Sequence, residues 1–504
     1  MSANMPAANV PAGSHQQALA FFQCMQCGNA LTSHSPTELT CNTCKTAVPV
    51  LDGIIDFVDG SATTALDAID YDDRYGINDE HSLNLYTLLR SSSGPLWPKD
   101  LGDALEVGCG TGGLSLALLG NVCARHVVLT DVSPKMLRQC RQRLHDANNP
   151  RGTATTFATY AGTQNCFRPN TFDTCFGTAV VHHITDVTGF LSHVHTVLKP
   201  GGCAFFMEPS LPFHRALTAT VADIVADLLH DPRISDNAIS LMLNWTGEVH
   251  CNIVNTGDIE VLAEREDKHL FDPDTFAAWA ESAGFARVAA LPCGLDPTGW
   301  GTVQVYFHQT GLSTQALAAV EQLWPAKHTA HFAGLAVRDQ SPSYLFRLKK
   351  GTSAHPRPAT ATATTPTTAP VSAPLGAATL PTRTWLVLGL HRRGQDLEIS
   401  VAGWCLSAEP ARSVRFATCG VIRRVPIWRP RPDVQREVNR NAGYPPLHAL
   451  CSGIEGTARL GPDLALDTID VEVAIVTAGD VLRPCGTVSL TVGAPNVEIG
   501  GSFH

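Results

Sequence analysis

Residues 105–113 read Leu105-Glu106-Val107-Gly108-Cys109-Gly110-Thr111-Gly112-Gly113, and how this stretch folds decides the architecture around it. Apolar residues run into glycines at alternate positions, Gly108, Gly110 and Gly112, and an apolar run from Leu114 to Leu119 follows. A strand that stops in a glycine turn and restarts as a helix leaves backbone N–H groups uncovered at the helix N-terminus. Missing β-carbons let a ligand lie directly on the main chain. The spacing is G-x-G-x-G, not the G-x-G-x-x-G of dinucleotide loops. Glu106, two residues before the first glycine, would repel a pyrophosphate and suit a cationic ligand. Further on, the apolar run from Val127 ends in Asp131, about where an acid in such folds takes a ribose diol. A glycine turn alone is commonplace; with both acids placed it points to a nucleoside site.

The runs LEVGCGTGG, TDVSPKML, FDTCFGTAVVHHITD and VLKPGGCAFFMEP, in this order and spacing, resemble class I methyltransferases that use S-adenosylmethionine. The resemblance covers about Leu105–Pro209, and Lys268–Phe285 also fits it. It implies an α/β, Rossmann-like, seven-stranded methyltransferase domain. It assigns the cofactor to Glu106, Gly108, Gly110, Gly112, Asp131, Met136 and Thr178. One segment departs from the pattern: Ala161 stands where an acid for the adenine amino group is expected, which leaves adenine to backbone groups or to Thr163 and Gln164. Ligands of open α/β sheets sit beyond the carboxyl ends of the strands. That rule draws attention to His182 and His183 after the fourth strand and to Glu208 at the end of the fifth. Histidine titrates near neutrality and suits removal of a proton from an acceptor hydroxyl, although a buried histidine is often only structural. His269 is a further candidate.

Ahead of this domain, Cys24-Met-Gln-Cys27 and Cys41-Asn-Thr-Cys44 have the spacing of a four-thiolate zinc site on two turns. Four protein ligands leave no open position, so such a zinc is structural. With Val48–Val58 the pattern resembles the zinc-ribbon partner subunits that activate certain tRNA and protein methyltransferases. Related ribbons also precede ribosomal RNA methyltransferase domains. Here the ribbon has Lys45 against Glu38, Asp52, Asp56 and Asp59, and the chain's formal net charge is −10. Nucleic-acid binders usually carry a basic patch, so RNA is disfavoured. Tyr71 and Tyr75, four apart in a helical pattern, are candidates to close over the cofactor or to pack on the core.

At 504 residues the chain should hold several domains. The expected plan is a disordered 1–20, the ribbon at 21–60, and the methyltransferase domain at 61–351 with an insertion at 212–268. A linker at 352–384, almost entirely Thr, Ala, Pro and Ser, follows, and then a β-sandwich at 385–504. Strands are expected near 286–291, in TVQVYFHQ and in SYLFRLKK. The run VAGWCLS and Arg429–Val434 are similar to β-domains appended to bacterial glycosyltransferases. Arg423, Arg424, Arg429, Arg431, Arg436 and Arg440 make that unit a candidate receptor for carbohydrate, phosphate or a partner protein, unless acids nearby balance them. No window has membrane-spanning length and no basic-then-apolar leader is present, so a cytoplasmic location is expected. Three functions compete: O-methylation of a sugar, glycan precursor or other small metabolite; methylation of an RNA base; and a non-catalytic scaffold around a vestigial domain.

Overall fold

The computed structural model describes residues 18–58, 72, 77–147, 153–262, 265–352, 380–439, 444–461 and 466–503. Tyr71, Tyr75, Arg440, residues 1–17 and most of the Thr/Ala/Pro-rich linker lie outside the described residues. The chain divides into two compact units. The first is Met1–Ser210, Phe271–Leu295 and Ser343–Thr364; the second is Leu211–Leu270, Asp296–Pro342 and Thr365–His504.

The first unit is built on one sheet. Its strands are β1 (Leu31–Ser35), β2 (Glu38–Cys41), β3 (Ala47–Leu51), β4 (Ile54–Ile55), β5 (Asp103–Val107) and β6 (His126–Asp131). They continue with β7 (Ala154–Thr159), β8 (Phe172–Thr178), β9 (Leu198–Pro209), β10 (Arg287–Cys293) and β11 (Ser343–Lys349). Seven of them run β7-β6-β5-β8-β9-β11-β10, with β11 antiparallel to both neighbours and the β7-to-β9 set parallel. This is the seven-stranded Rossmann-like methyltransferase sheet. The reversal of order at β5 and β8 opens a crevice at their carboxyl ends.

Burial on both faces explains the strands' apolar runs. Phe205 joins one core with Leu118, Leu129 and Phe176, while its neighbour Phe206 joins the other with Leu105, Phe190 and Phe346.

The cysteine-bearing module is part of this sheet. Asp52 (φ 52°) and Gly53 (φ 75°) form the two-residue loop between β3 and β4, both left-handed as a type I′ hairpin turn needs. Strand β4 then pairs in parallel with β7, Ile54 with Phe157 and Ile55 with Ala158. The Thr159 hydroxyl accepts from the N–H groups of Phe57 (2.8 Å) and Val58 (3.1 Å) and donates to Asp56 (2.7 Å). The sheet therefore reaches eleven strands.

The second unit joins helices and β structure. Helices Leu211–Leu228 and Asp236–Val254 come from one insertion, and Trp300–Gln309 and Thr314–Phe332 from a second one between β10 and β11. The expected strand in TVQVYFHQ is thus a helix. Val303 and Phe307, four apart, are both buried in the helical core while Val305 between them is exposed, so the helical repeat overrides β-branched propensity. Leu450 and Cys451, from the far end of the chain, pack in this same core.

Strands β12 (Thr382–Arg393), β13 (Asp396–Leu406), β14 (Ala411–Thr418), β15 (Val421–Pro426), β16 (Gly453–Gly461), β17 (Thr468–Thr477), β18 (Leu482–Thr491) and β19 (Val497–Phe503) form two antiparallel four-stranded sheets, ordered β16-β13-β12-β19 and β15-β14-β17-β18. Strand β12 begins within the stretch read as linker. Among the described residues no helix is long and apolar enough to cross a membrane.

Candidate functional site

The glycine loop leaves β5 and enters the helix Gly113–Asn121 through three left-handed residues, Gly108 (φ 65°), Gly110 (φ 53°) and Gly112 (φ 89°). Their surroundings differ. A β-carbon on Gly108 would stand 2.3 Å from Val180 Cγ2, and one on Gly112 would stand 2.7 Å from Cys140 Sγ. At Gly110 no other atom would lie within 4 Å. Two of the glycines therefore let the loop pack on its neighbours, and the third faces open space, the cradle a ligand would fill.

Asp131 ends β6 with its carboxylate against this loop, accepting from Gly110 N–H at 3.0 Å and Ser133 N–H at 2.9 Å. Burial raises its pKa above the ordinary value. Glu106 is deeper, its Oε2 accepting from Ser115 Oγ at 2.6 Å. Desolvation pushes its carboxyl up to about 8, with the Asp131 charge adding to the rise and the serine opposing it. Glu106 is thus mostly protonated at neutral pH, where the sequence reading expected a bare carboxylate.

Of the other residues assigned to the cofactor, Met136 is buried in helix Pro134–Asp146 and Thr178, partly exposed, ends β8. Thr163 is exposed, and Gln164 Oε1 accepts from Ala161 N–H at 2.6 Å, so that carbonyl is engaged by the loop itself.

Past β8 the chain passes through Ala179, left-handed at φ 51°, into the short turn Val181–His183. Glu208, at the end of β9, is buried beneath it. Its Oε1 accepts from Val180 N–H (3.0 Å) and Val181 N–H (2.7 Å), and its Oε2 from His182 N–H (3.2 Å). His182 Nδ1 lies 2.7 Å from the same Oε2. Four contacts thus engage both oxygens of the Glu208 carboxylate. A carboxylate neighbour suits Nδ1 as the donating ring nitrogen. His183 is exposed, its ring 4.0 Å from that of His182. His269 is buried in the second unit.

Cys24, Cys27, Cys41 and Cys44 converge. Three Sγ pairs lie 3.4–3.5 Å apart, and all four sulfurs fall within 4.8 Å of one another. A tetrahedral zinc at ordinary Zn–S distances would set these edges at about 3.8 Å, so the four thiols fit the ion.

The five described arginines of the candidate receptor lie against acids or backbone. Arg424 reaches Asp258 at 2.6 Å, Arg431 reaches Asp433 at 2.6 Å and Arg436 reaches Asp236 at 3.0 Å. Arg429 lies 3.8 Å from Glu455, and Arg423 donates to the Arg459 carbonyl at 2.7 Å. Two of these acids, Asp236 and Asp258, come from the helical insertion, where sequence proximity gave no sign of them.

Strand order, glycine loop and terminal acids together define a Rossmann-like methyltransferase domain. Residues 105–204 match the family described as "Methyltransferase domain". Among curated proteins, the chain is 31% identical over 126 residues to the highly reducing polyketide synthase PKS6 of Gibberella zeae, covering 23% of this chain and 5% of that one. It is 33% identical over 112 residues to a demethylmenaquinone methyltransferase of Symbiobacterium thermophilum, covering 22% and 44%. The chain therefore spans less than half the length of these relatives. A phosphoethanolamine N-methyltransferase 2 of Haemonchus contortus, solved with S-adenosyl-L-methionine, aligns at 17% identity over 61% of this chain and 62% of that one, with a TM-score of 0.34.

Proposed function

We propose that the protein is an S-adenosylmethionine-dependent methyltransferase acting on a small molecule, with O-methylation of a sugar, glycan precursor or other small metabolite as the particular reaction. The observation that carries this reading is the glycine loop with Gly110 facing open space and Asp131 against it. Gly108, Gly110, Gly112, Asp131, Met136 and Thr178 would hold the cofactor, with Glu106 beneath the loop and Thr163 and Gln164 on the adenine side. When bound, the cofactor supplies an electrophilic methyl group on a sulfonium. His182 accepts the acceptor's hydroxyl proton at Nε2, and Glu208 holds the ring in that tautomer and stabilises the imidazolium formed. His183 flanks the same turn. The four cysteines hold a structural zinc.

The low basic content of the ribbon and the demethylmenaquinone relative support a small acceptor over RNA. The test is methyl transfer from isotopically labelled S-adenosylmethionine to fractionated small-molecule extracts and, in parallel, to ribosomal RNA. Label in a small-molecule fraction that disappears with His182→Ala supports the proposal. Label only in RNA, or none in either, contradicts it.

A further inference from the structure

Thr111 is the one non-glycine residue at the crest of the Gly110–Gly113 turn, and it is gripped from two directions. Arg143, in the last turn of the helix Pro134–Asp146, donates to the Thr111 carbonyl at 2.7 Å and lies 3.0 Å from its hydroxyl. Its other Nη reaches the Asp72 carboxylate at 2.7 Å and the Ile77 carbonyl at 3.4 Å. The Thr111 hydroxyl itself donates to Asp72. The pair is largely withdrawn from water, with Arg143 and Asp72 side chains 15% and 14% exposed. The Ile77 side chain sits 3.2 Å from where a β-carbon on Gly113 would be.

We infer that Asp72 and Arg143 are positioning residues that lock the glycine loop in its ligand-accepting shape and keep its wall electrically neutral. The inference rests on the reading of that loop as the cofactor site. Three consecutive alternate glycines in left-handed backbone are conformationally costly to order. A guanidinium fork on the carbonyl at the crest supplies that order from the helix Pro134–Asp146. A partly buried arginine beside a site for a cation would oppose binding, and the Asp72 carboxylate offsets that charge. Asp72 therefore has two separable effects, one on loop order and one on the discrimination between a sulfonium and a neutral thioether.

The experiment uses the full-length protein with Arg143→Met, Asp72→Asn, and the double variant Asp72→Leu/Arg143→Met, in which both charges are gone. Hydrogen exchange of the amides of residues 109–113 is followed without ligand, and affinities for S-adenosylmethionine and S-adenosylhomocysteine are measured by calorimetry. Loss of a hydrogen bond to a charged group predicts exchange roughly tenfold faster or more in both single variants. Asp72→Asn should weaken S-adenosylmethionine more than S-adenosylhomocysteine, and the double variant should return that ratio to the wild-type value. Exchange within twofold of wild type in every variant, or equal weakening of both ligands by Asp72→Asn, overturns the inference. If the wild type binds neither ligand, the functional reading fails, while the exchange rates still decide whether the clasp orders the loop. Arg143→Lys, which keeps the charge and loses the fork, serves where Arg143→Met does not fold.

Discussion

His182 and Glu208, 26 residues apart in the chain, meet at 2.7 Å through Nδ1 and Oε2 at the carboxyl ends of neighbouring parallel strands. The same carboxylate also ties down the backbone of the turn that carries the histidine. Ring orientation and loop position are thus set by one buried acid.

His182→Ala is expected to lower turnover by about 10²–10⁴-fold, the usual contribution of a positioned base, with cofactor affinity nearly unchanged. Glu208→Gln should also lower turnover and in addition destabilise the fold, because its amide cannot accept all the bonds the carboxylate accepts. His183→Ala should have the smaller effect on rate. Steady-state kinetics beside calorimetric cofactor binding separates these outcomes.

Glu106 makes a pH prediction of definite sign. Its carboxyl is raised to about 8 in the folded protein, so it is protonated below that pH, and a cation in the loop favours its ionised form. Affinity for S-adenosylmethionine should rise with pH, by at most about tenfold per unit, and level off above 8. S-adenosylhomocysteine should show a weaker trend, and Glu106→Gln should flatten both. For the ligand-free protein, a raised folded pKa means stability that is present below the unfolded value of 4.5 and is lost as pH climbs through 8. Denaturant melts across this window should show that slope in wild type and less of it in Glu106→Gln.

The cysteine module should carry one zinc per chain, read by elemental analysis. Chelation, or Cys24→Ser, should melt the module and with it the pairing of β4 to β7, because so small a unit depends on its metal. Thr159→Val tests the seam separately. It removes the hydroxyl shared by Asp56, Phe57 and Val58, and about 1–3 kcal/mol of stability should go with it in denaturant titrations.

In the second unit, Asp258 serves two guanidinium groups, Arg424 at 2.6 Å and Arg412 at 3.2 Å, and its side chain is 9% exposed. Asp258→Asn leaves Arg424 without its acid, while Arg412 keeps Asp480 at 2.5 Å. A loss of about 1–3 kcal/mol is expected, the cost of leaving a partly buried guanidinium without its acid. Asp433→Asn, at an exposed pair with Arg431, should cost under about 1 kcal/mol. Comparing the two by chemical denaturation checks both figures.

The central sheet was legible because its signals are local: apolar runs, the first of them ending in the glycine turn, with helical periodicity between them. Strand β4 was not, since two residues carry no period, and only pairing with β7 reveals that the cysteine module extends the sheet. The helix Trp300–Gln309 was misread because Val303, Val305 and Phe307 alternate as a strand would, while a helical core buries only the pair four apart. The clasp of Asp72, Thr111 and Arg143 joins positions 39 and 32 residues from Thr111, and separations of that kind leave no trace in composition or spacing. Asp258 and Asp236, which meet Arg424 and Arg436, are farther still from them in the chain.

The most direct test is calorimetric titration of S-adenosylmethionine into the wild type and into Gly110→Ala and Gly110→Val. No protein atom obstructs a β-carbon at Gly110, and the left-handed backbone costs an alanine about 1–2 kcal/mol, so Gly110→Ala should keep the fold; the bulkier, β-branched Gly110→Val is used only where its circular dichroism matches wild type. One cofactor should bind per wild-type chain and be displaced by S-adenosylhomocysteine, with affinity lowered in Gly110→Ala and lost in Gly110→Val while the circular dichroism is unchanged. A wild type that does not bind, or a Gly110→Val chain that binds as tightly as wild type, would contradict this reading of the loop.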